Sequence, residues 1–176
     1  ENEINLITDV AVAKNNSNDS TILTESLPEI LEKTPDLEEL HNDAAYGSSE
    51  NDVLCKENNI IQVPTAVKGR KLEVPIIIEG IDNSENYKVS CPYQEVESTP
   101  TNSRHKACFT LDICAGCKQR DECSTQEMKQ GRVHYFTDET ALMNKRNRNI
   151  LLIPEERRNI SPNVEATMKE FTKPFN

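Results

Sequence analysis

The stretch LHNDAAYGSS, residues 40–49, places one carboxylate, Asp43, between a predicted strand and a Gly-Ser turn. The preceding residues 36–40 (DLEEL) predict a short strand. After the turn, Ser48 or Ser49 is the expected N-cap of a helix. A carboxylate at the end of such a strand faces the crevice in which open α/β sheets bind ligands. An Asp in front of Tyr-Gly is, however, more often a turn-former than a catalyst.

The elements around Asp43 alternate between strand and helix. Residues 4–13 are apolar on both alternating faces, which is typical of a strand covered on both sides. Residues 19–33 predict an amphipathic helix that Pro28 should kink or restart. A second helix follows the Gly-Ser turn, with an apolar face beginning at Val53 and Leu54, and residues 60–63 predict a short buried strand. Such an alternation predicts an α/β layer.

Composition limits the size of the core and locates the charge. Only 35% of the 176 residues are hydrophobic, there is no Trp, and the net charge is −10. Residues 1–103 hold 7 Lys+Arg against 20 Asp+Glu, whereas residues 104–176 hold 13 against 10. A DNA-facing surface is therefore expected in the second part, because phosphates require clustered Lys and Arg. No apolar run approaches transmembrane length and no signal peptide is recognised, so we expect a cytoplasmic fragment without a membrane partner.

Five of the six cysteines lie within residues 91–123, and two of them form a C-x2-C pair. Such a pair presents two thiolates to one tetrahedral metal, and Zn²⁺ requires four ligands. The predicted zinc ligands are Cys91, Cys114, Cys117 and Cys123, with Cys108, His105 and His134 as substitutes. A disulfide framework is the first alternative, and redox chemistry of the C-x2-C pair is the second. The remaining cysteine, Cys55, is expected to be a small buried side chain.

Three segments of the chain carry a resemblance to a known family. Residues 42–48 (NDAAYGS), followed by residues 57–61 (ENNII), resemble the segment around the second catalytic aspartate of bacterial insertion-sequence transposases. Residues 161–171 (SPNVEATMKEF) are similar to the helix of that family that carries the last acidic residue, here Glu165. The cysteine-rich segment is similar to the insert found between these two motifs in the same family.

The resemblance implies an incomplete ribonuclease-H-like α/β domain interrupted by a small, cysteine-rich, zinc-binding β-rich insertion. Residues 1–68 would form a partial core, and residues 69–137 the insertion, which is expected to have no sizeable core of its own. Residues 138–176 would return to the catalytic domain as helices and bring Glu165 to the site. Zinc would then hold together a subdomain that has little apolar area.

The resemblance also implies DDE-type chemistry on DNA. Asp43 and Glu165 would bind Mg²⁺ or Mn²⁺ around a scissile phosphate during strand cleavage and joining. Arg157 and Arg158 are the expected DNA contacts. The implied partners are transposon ends and target DNA in the bacterial cytoplasm, and a homo-oligomer of the full-length protein is left open.

The chain departs from the family pattern at several positions. The first aspartate of the triad is missing, and Asp9, the only early candidate, lies on a strand that corresponds to a later one in the sheet. Ser161 stands where the family often has an arginine, and the basic tail that usually follows residues 173–175 is absent. We therefore expect this chain alone not to transpose DNA.

A rival interpretation comes from a different class of protein. The chain could be a noncatalytic, zinc-stapled α/β interaction module, or a decayed transposase remnant whose carboxylates are bystanders. Glu165 would then be a solvated helix residue that pairs with Lys169 one turn later, which contributes a few tenths of a kcal/mol. Loss of metal-dependent DNA binding on replacing Asp43 or Glu165 with alanine separates the two interpretations.

Overall fold

A computed structural model of the chain describes residues 12–14, 16–66, 74–152 and 154. The protein has a mixed α/β fold, and it divides into two compact units, Glu1–Val67 with Asn149–Asn176 and Lys68–Arg148. Within the described ranges, no helix combines the length and the apolar character that crossing a membrane requires. All but two residues of the strand predicted over residues 4–13 lie outside those ranges.

The first unit contains a strand, helix, strand motif preceded by one helix. Its elements are α1 (Asp19–Lys33), β1 (Glu39–Asn42), a 3-10 turn (Ala44–Tyr46), α2 (Ser49–Glu57) and β2 (Ile61–Pro64). Strands β1 and β2 pair in parallel, with Glu39 opposite Ile61 and Asn42 opposite Pro64. Parallel neighbours require a crossover connection, and α2 supplies it. The predicted alternation is therefore confirmed from α1 to β2.

A small core holds these elements together. Its buried members are Leu23, Leu27, Cys55 and Ile60. The two leucines lie one helical turn apart, so both reach the same face of α1. The predicted burial of these leucines and of Cys55 is confirmed.

Helix α1 continues through Pro28 as a single helix, so of the two predicted effects, a kink or a restart, the restart does not occur. Two other local expectations in this unit were wrong. Strand β1 begins at Glu39, later than predicted. Val53 is 41% exposed, because α2 turns Asn51, Asp52 and Cys55 inward and its buried face is mainly polar. Hydrophobic spacing could not reveal a helix that buries an amide and a carboxylate.

The second unit is built on a six-stranded antiparallel sheet. Its strands are β3 (Ile77–Gly80), β4 (Tyr87–Cys91), β5 (Gln94–Pro100), β6 (His105–Phe109), β7 (Gln126–Met128) and β8 (Gly131–Phe136). They are arranged in the order β3-β4-β5-β6-β8-β7. Helix α3 (Leu111–Ala115) follows β6, and helix α4 (Asp138–Asn149) follows β8. Most neighbours along the chain are therefore also neighbours in the sheet.

This sheet has a hydrophobic core of its own, contrary to the expectation for the cysteine-rich segment. The core residues are Ile76, Ile78, Val89, Ala107, Phe109, Phe136 and Ala141. Val89, Ala107 and Phe109 alternate with outward residues along their strands, which is how an antiparallel sheet covers one face. Because Ala141 lies on α4, that helix forms part of the cover.

Helix α4 belongs mainly to the second unit, although the sequence boundary at residue 138 assigned it to the catalytic core. Asn144 donates from Nδ2 to the carbonyl of Ile76 at 2.8 Å and accepts from the amide of Ile78 at 3.1 Å. Arg148 donates to the carbonyl of Ile78 at 3.1 Å. These bonds attach α4 to the edge of the sheet at β3. Thr137 caps the start of α4, since its Oγ1 accepts from the amide of Thr140 at 3.3 Å.

Candidate functional site

Asp43 lies directly after β1, at the carboxyl end of the parallel strand pair, and its side chain is exposed. It is the N-cap of the 3-10 turn, where Oδ1 accepts a hydrogen bond from the amide of Ala45 at 2.9 Å. The turn-forming role that the sequence offered as an alternative is therefore present. Within the described residues Oδ2 makes no hydrogen bond, so one carboxylate oxygen remains available to a ligand.

The turn after Asp43 is stabilised by hydrogen bonds from Asn51, whose side chain is fully buried. Its Nδ2 donates to the carbonyl of Tyr46 at 2.8 Å and to that of Ser20 at 2.9 Å. Its Oδ1 accepts from the hydroxyl of Thr24 at 2.7 Å. One amide thus connects α1, α2 and the turn. Sequence analysis missed Asn51, because an Asn in the first turn of a helix usually reads as a solvated residue.

Two further amides at this end of the sheet are buried without partners. Within the part of the chain that the structure describes, the side-chain nitrogen and oxygen of Asn42 and of Gln62 form no hydrogen bond, and Gln62 is only 3% exposed. Asn42 is opposite Pro64, two residues after Gln62, so both amides lie on the same face of the strand pair. Burying an unpaired polar group costs about 1–3 kcal/mol. The parallel strands therefore carry unused hydrogen-bonding capacity next to Asp43.

The surroundings of Asp43 are electronegative. Burial raises the pKa of the Tyr46 phenol, and the carboxylates of Asp19 and Asp43 raise it further. Tyr46 therefore stays protonated at neutral pH. Asp19, at the start of α1, is a second carboxylate near this turn that the sequence did not single out. A region that collects negative charge around one exposed carboxylate favours cations.

The other predicted residues of the catalytic site lie outside the described residues. These are Glu165, Arg157 and Arg158, together with the early candidate Asp9. Asp43 is accordingly the one predicted catalytic residue whose position the described ranges include.

The four predicted zinc ligands line a single cavity in the second unit. Cys91 ends β4, Cys114 lies in α3, and Cys117 and Cys123 lie in the turns that follow. The cavity has a volume of about 20 Å³, which is close to the space one water molecule requires. The predicted substitutes Cys108, His105 and His134 do not line it. The four cysteines, which are up to 32 positions apart in sequence, therefore lie around the same cavity.

The chemical state of these cysteines argues against both alternatives offered by the sequence. All six cysteines, which fall within the described ranges, are free thiols, so no disulfide framework is formed. Burial raises the pKa of the Cys114 thiol, although a hydrogen bond from Gln94 Nε2 at 3.2 Å opposes the shift. Redox-active cysteines depend on a lowered pKa. Cys114 is therefore a half-buried thiol whose pKa lies above its ordinary value, although nearby Arg132 also opposes the shift.

The donor types fit zinc, whereas their arrangement does not yet form a coordination site. Across the described parts of the chain, no three Cys, His, Asp or Glu side chains are arranged so that they could hold a metal ion. The thiols share a cavity without converging on one point. Zinc binding would have to draw the sulfur atoms together.

The loop around the cavity is fixed by residues that sequence analysis did not identify. Gln94 accepts from the amide of Thr110 at 2.9 Å while donating to Cys114. Arg132 donates to the hydroxyl of Thr125 at 2.7 Å and to its carbonyl at 2.8 Å. These contacts bring the loop that carries Cys123 to strand β8. In the sequence, only the spacing of the cysteines indicated that residues of this loop lie close together.

No protein-family model, curated protein or solved structure matches the chain. A function for the protein has therefore to be inferred from its own residues and contacts.

Proposed function

We propose that the chain is part of a DDE-type transposase of a bacterial insertion sequence, and that its first unit belongs to a ribonuclease-H-like catalytic domain. The observation that carries this proposal is the position of Asp43 at the carboxyl end of a parallel strand, in a strand, helix, strand unit. Ligands of open α/β sheets bind at such strand ends. The similarity of residues 42–48 and 161–171 to the two acidic motifs of the family supports the same conclusion.

In this proposal Asp43 and Glu165 hold Mg²⁺ or Mn²⁺. Asp43 fits the role because it is an exposed, hard oxygen donor with Oδ2 available, and because unpaired amides of Asn42 and Gln62 lie nearby. When bound, the ions would activate a water or a DNA 3′-hydroxyl and stabilise the leaving oxygen. The chain itself would position the metal-binding carboxylate. Asn51 holds the turn, and the amide of Ala45 in that turn holds the Asp43 side chain.

Binding of Mn²⁺ to the full chain, followed by electron paramagnetic resonance, tests the role of Asp43. We expect Asp43→Asn to weaken binding at the site by more than about tenfold, since loss of even an outer-shell partner often costs that much. Asp36→Asn is the matched control, because Asp36 is an exposed acid in the loop before β1. Equal Mn²⁺ affinity in the two variants would remove Asp43 from the site.

One observation favours the rival proposal of a noncatalytic interaction module. The hydrogen bond from the amide of Ala45 to Asp43 gives the carboxylate a sufficient structural role as a turn cap. In that case metal-dependent DNA binding would be unchanged in Asp43→Ala and in Glu165→Ala. Loss of that binding in both variants would support the transposase proposal.

We also propose that the cysteine cavity is a structural zinc site. Four thiols from three parts of the second unit line one small cavity, and none of them is used in a disulfide. The raised pKa of Cys114 makes the thiolate costly without a nearby cation. Since the unit has its own hydrophobic core, zinc would stabilise the loop that carries the cysteines more than the whole sheet.

Metal analysis of the reduced full chain tests this site. We expect one bound Zn²⁺ per chain and, after exchange for Co²⁺, the absorption band typical of thiolate ligands. Cys114→Ser should lower zinc affinity strongly, whereas Cys108→Ser should not, because Cys108 is exposed and lies outside the cavity. A reduced chain that remains free of zinc with excess metal would contradict the proposal.

A further inference from the structure

We infer that the outward face of the antiparallel sheet contains a DNA-phosphate contact surface, formed by Arg104, Lys106 and Lys129. We call these three residues the basic face. The choice of DNA as the occupant rests on the proposed function, whereas the surface itself is argued from the second unit alone. These residues are distinct from Arg157 and Arg158.

The alternation of side chains along β6 and β8 defines this face. Ala107 and Phe109 point into the core, so the intervening Lys106 and Cys108 lie on the opposite side of β6. Lys106 is paired with Tyr135 of β8, which places both side chains on the outward face. Arg104 joins them there, because its guanidinium lies 3.7 Å from the centre of the Tyr135 ring.

An open groove continues from Lys106 along the same side of the sheet. It has a volume of about 660 Å³, and its lining includes Lys106, Cys108, Met128, Lys129 and Gln130. Lys129 lies in the turn between β7 and β8 and is exposed. The groove therefore has a lysine on a strand and another on a turn, with an exposed thiol among its lining residues.

The three cations of the basic face are not neutralised by the protein. Within the described residues, Arg104, Lys106 and Lys129 form no ion pair. Among the described residues that line the groove, Glu127 is the only carboxylate. Positive charge thus remains around the groove, although Glu95 and Glu97 of β5 lie on the same face of the sheet.

Glu127 does not offset that charge, because it is paired elsewhere. It accepts from Arg120 at 2.6 Å and lies 3.4 Å from an Arg132 nitrogen. The Arg120 contact is the main cause of a lowered pKa of Glu127, so the carboxylate is held as a partner of these arginines. Elsewhere on the sheet, Glu95 is similarly paired with Lys88 at 3.0 Å.

Phosphates are the ligand that such a surface fits. Unpaired Lys and Arg gain affinity for DNA by displacing counterions from its backbone, and this requires no base-specific contacts. Stacking on Tyr135 restricts Arg104 and keeps its donors presented to the solvent. Three contacts predict weak binding, with a slope of log affinity against log salt of roughly −2 to −3.

Fluorescence anisotropy of the full chain with a labelled DNA duplex of arbitrary sequence tests the basic face. At low salt we expect Lys106→Gln and Lys129→Gln each to weaken binding and to reduce the salt slope by about one. Lys145→Gln removes the same charge from an exposed position on α4 and should leave both quantities unchanged. Equal binding by all three variants, or no binding of wild type at low salt, would overturn the inference.

Cys108 provides a readout at the surface itself. Because Cys108 is exposed and lines the groove, bound DNA should slow its alkylation by a maleimide, measured by peptide mass spectrometry. An unchanged rate at saturating DNA would overturn the inference even if the chain binds DNA elsewhere. Mn²⁺ binding at Asp43 is measured without DNA. A result that contradicts DNA binding at the basic face can therefore be told apart from a result that contradicts the catalytic proposal.

Discussion

Replacing Phe109 with alanine is expected to lower the free energy of unfolding of the second unit by about 3–5 kcal/mol. Phe109 is 1% exposed and is among the largest fully buried side chains described. It packs in one cluster with Val89 and Phe136, from the strands on either side of the sheet centre. Its truncation would remove buried apolar area and leave a cavity that these strands cannot close without distortion.

Hydrogen exchange of amides in β4 and β6 measures this cost within the second unit. Leu111→Ala is the control, since Leu111 lies two residues further along the chain and is 39% exposed. It should cost less than about 1 kcal/mol. The measurement should be made with and without added Zn²⁺. If Phe109→Ala cost as little as the control in zinc-loaded protein, the unit would be held together by metal rather than by its core.

Replacing Asn51 with alanine is expected to cost on the order of 3 kcal/mol in the first unit. The change removes three hydrogen bonds, and the carbonyl of Tyr46 loses the donor that Asn51 supplies, whereas the carbonyl of Ser20 keeps the hydroxyl of Thr24. Because one of these bonds secures the turn after Asp43, the effect should extend beyond stability. We expect faster hydrogen exchange of the amides of Tyr46 and Gly47, which close the turn.

Asn58→Ala is a matched control for Asn51→Ala. Asn58 follows the end of α2, and its exposed side chain donates to the carbonyl of Leu54 at 2.8 Å. The loss of this bond should cost less than about 1 kcal/mol and leave exchange in the Asp43 turn unchanged. Equal costs for the two variants would show that the buried amide has no special role in the first unit.

Local signals in the sequence predicted the strand, helix, strand unit well. Ser48 was an expected cap, and its Oγ accepts from the amide of Asn51 at 3.1 Å. Local patterns could not predict which face of α2 is buried, because the burial of Asn51 depends on carbonyl groups of α1 and of the turn. Such a partner is visible only when the tertiary structure is formed.

The second unit was less predictable from sequence. Strands β5 and β6 did not stand out in the sequence, since β5 contains Glu, Ser, Thr and Pro side chains. These strands form because each pairs with neighbours that already present apolar residues to one face. The core was underestimated for the same reason: its members are scattered over residues 76–141 and become one cluster only through strand pairing.

The candidate sites show the same division between local and long-range information. The four cysteines that the spacing predicts as zinc ligands line one cavity, whereas within the described ranges no three such side chains are arranged to hold a metal ion. The roles of Gln94 and Asn51 could not be predicted, since each depends on a contact at least 16 positions away. The position of Asp43 at the end of a parallel strand was predicted correctly.

The most direct test of the catalytic proposal is Mn²⁺-induced line broadening in the amide NMR spectrum of the full chain. Paramagnetic broadening reports which amides lie near the bound ion, so it tests whether Asp43 and Glu165 share a site. We predict that amides of residues 43–46 and 164–166 broaden together during one titration, and that Asp43→Asn abolishes both effects. Broadening of only one segment, or broadening that persists in Asp43→Asn, would contradict a shared metal site.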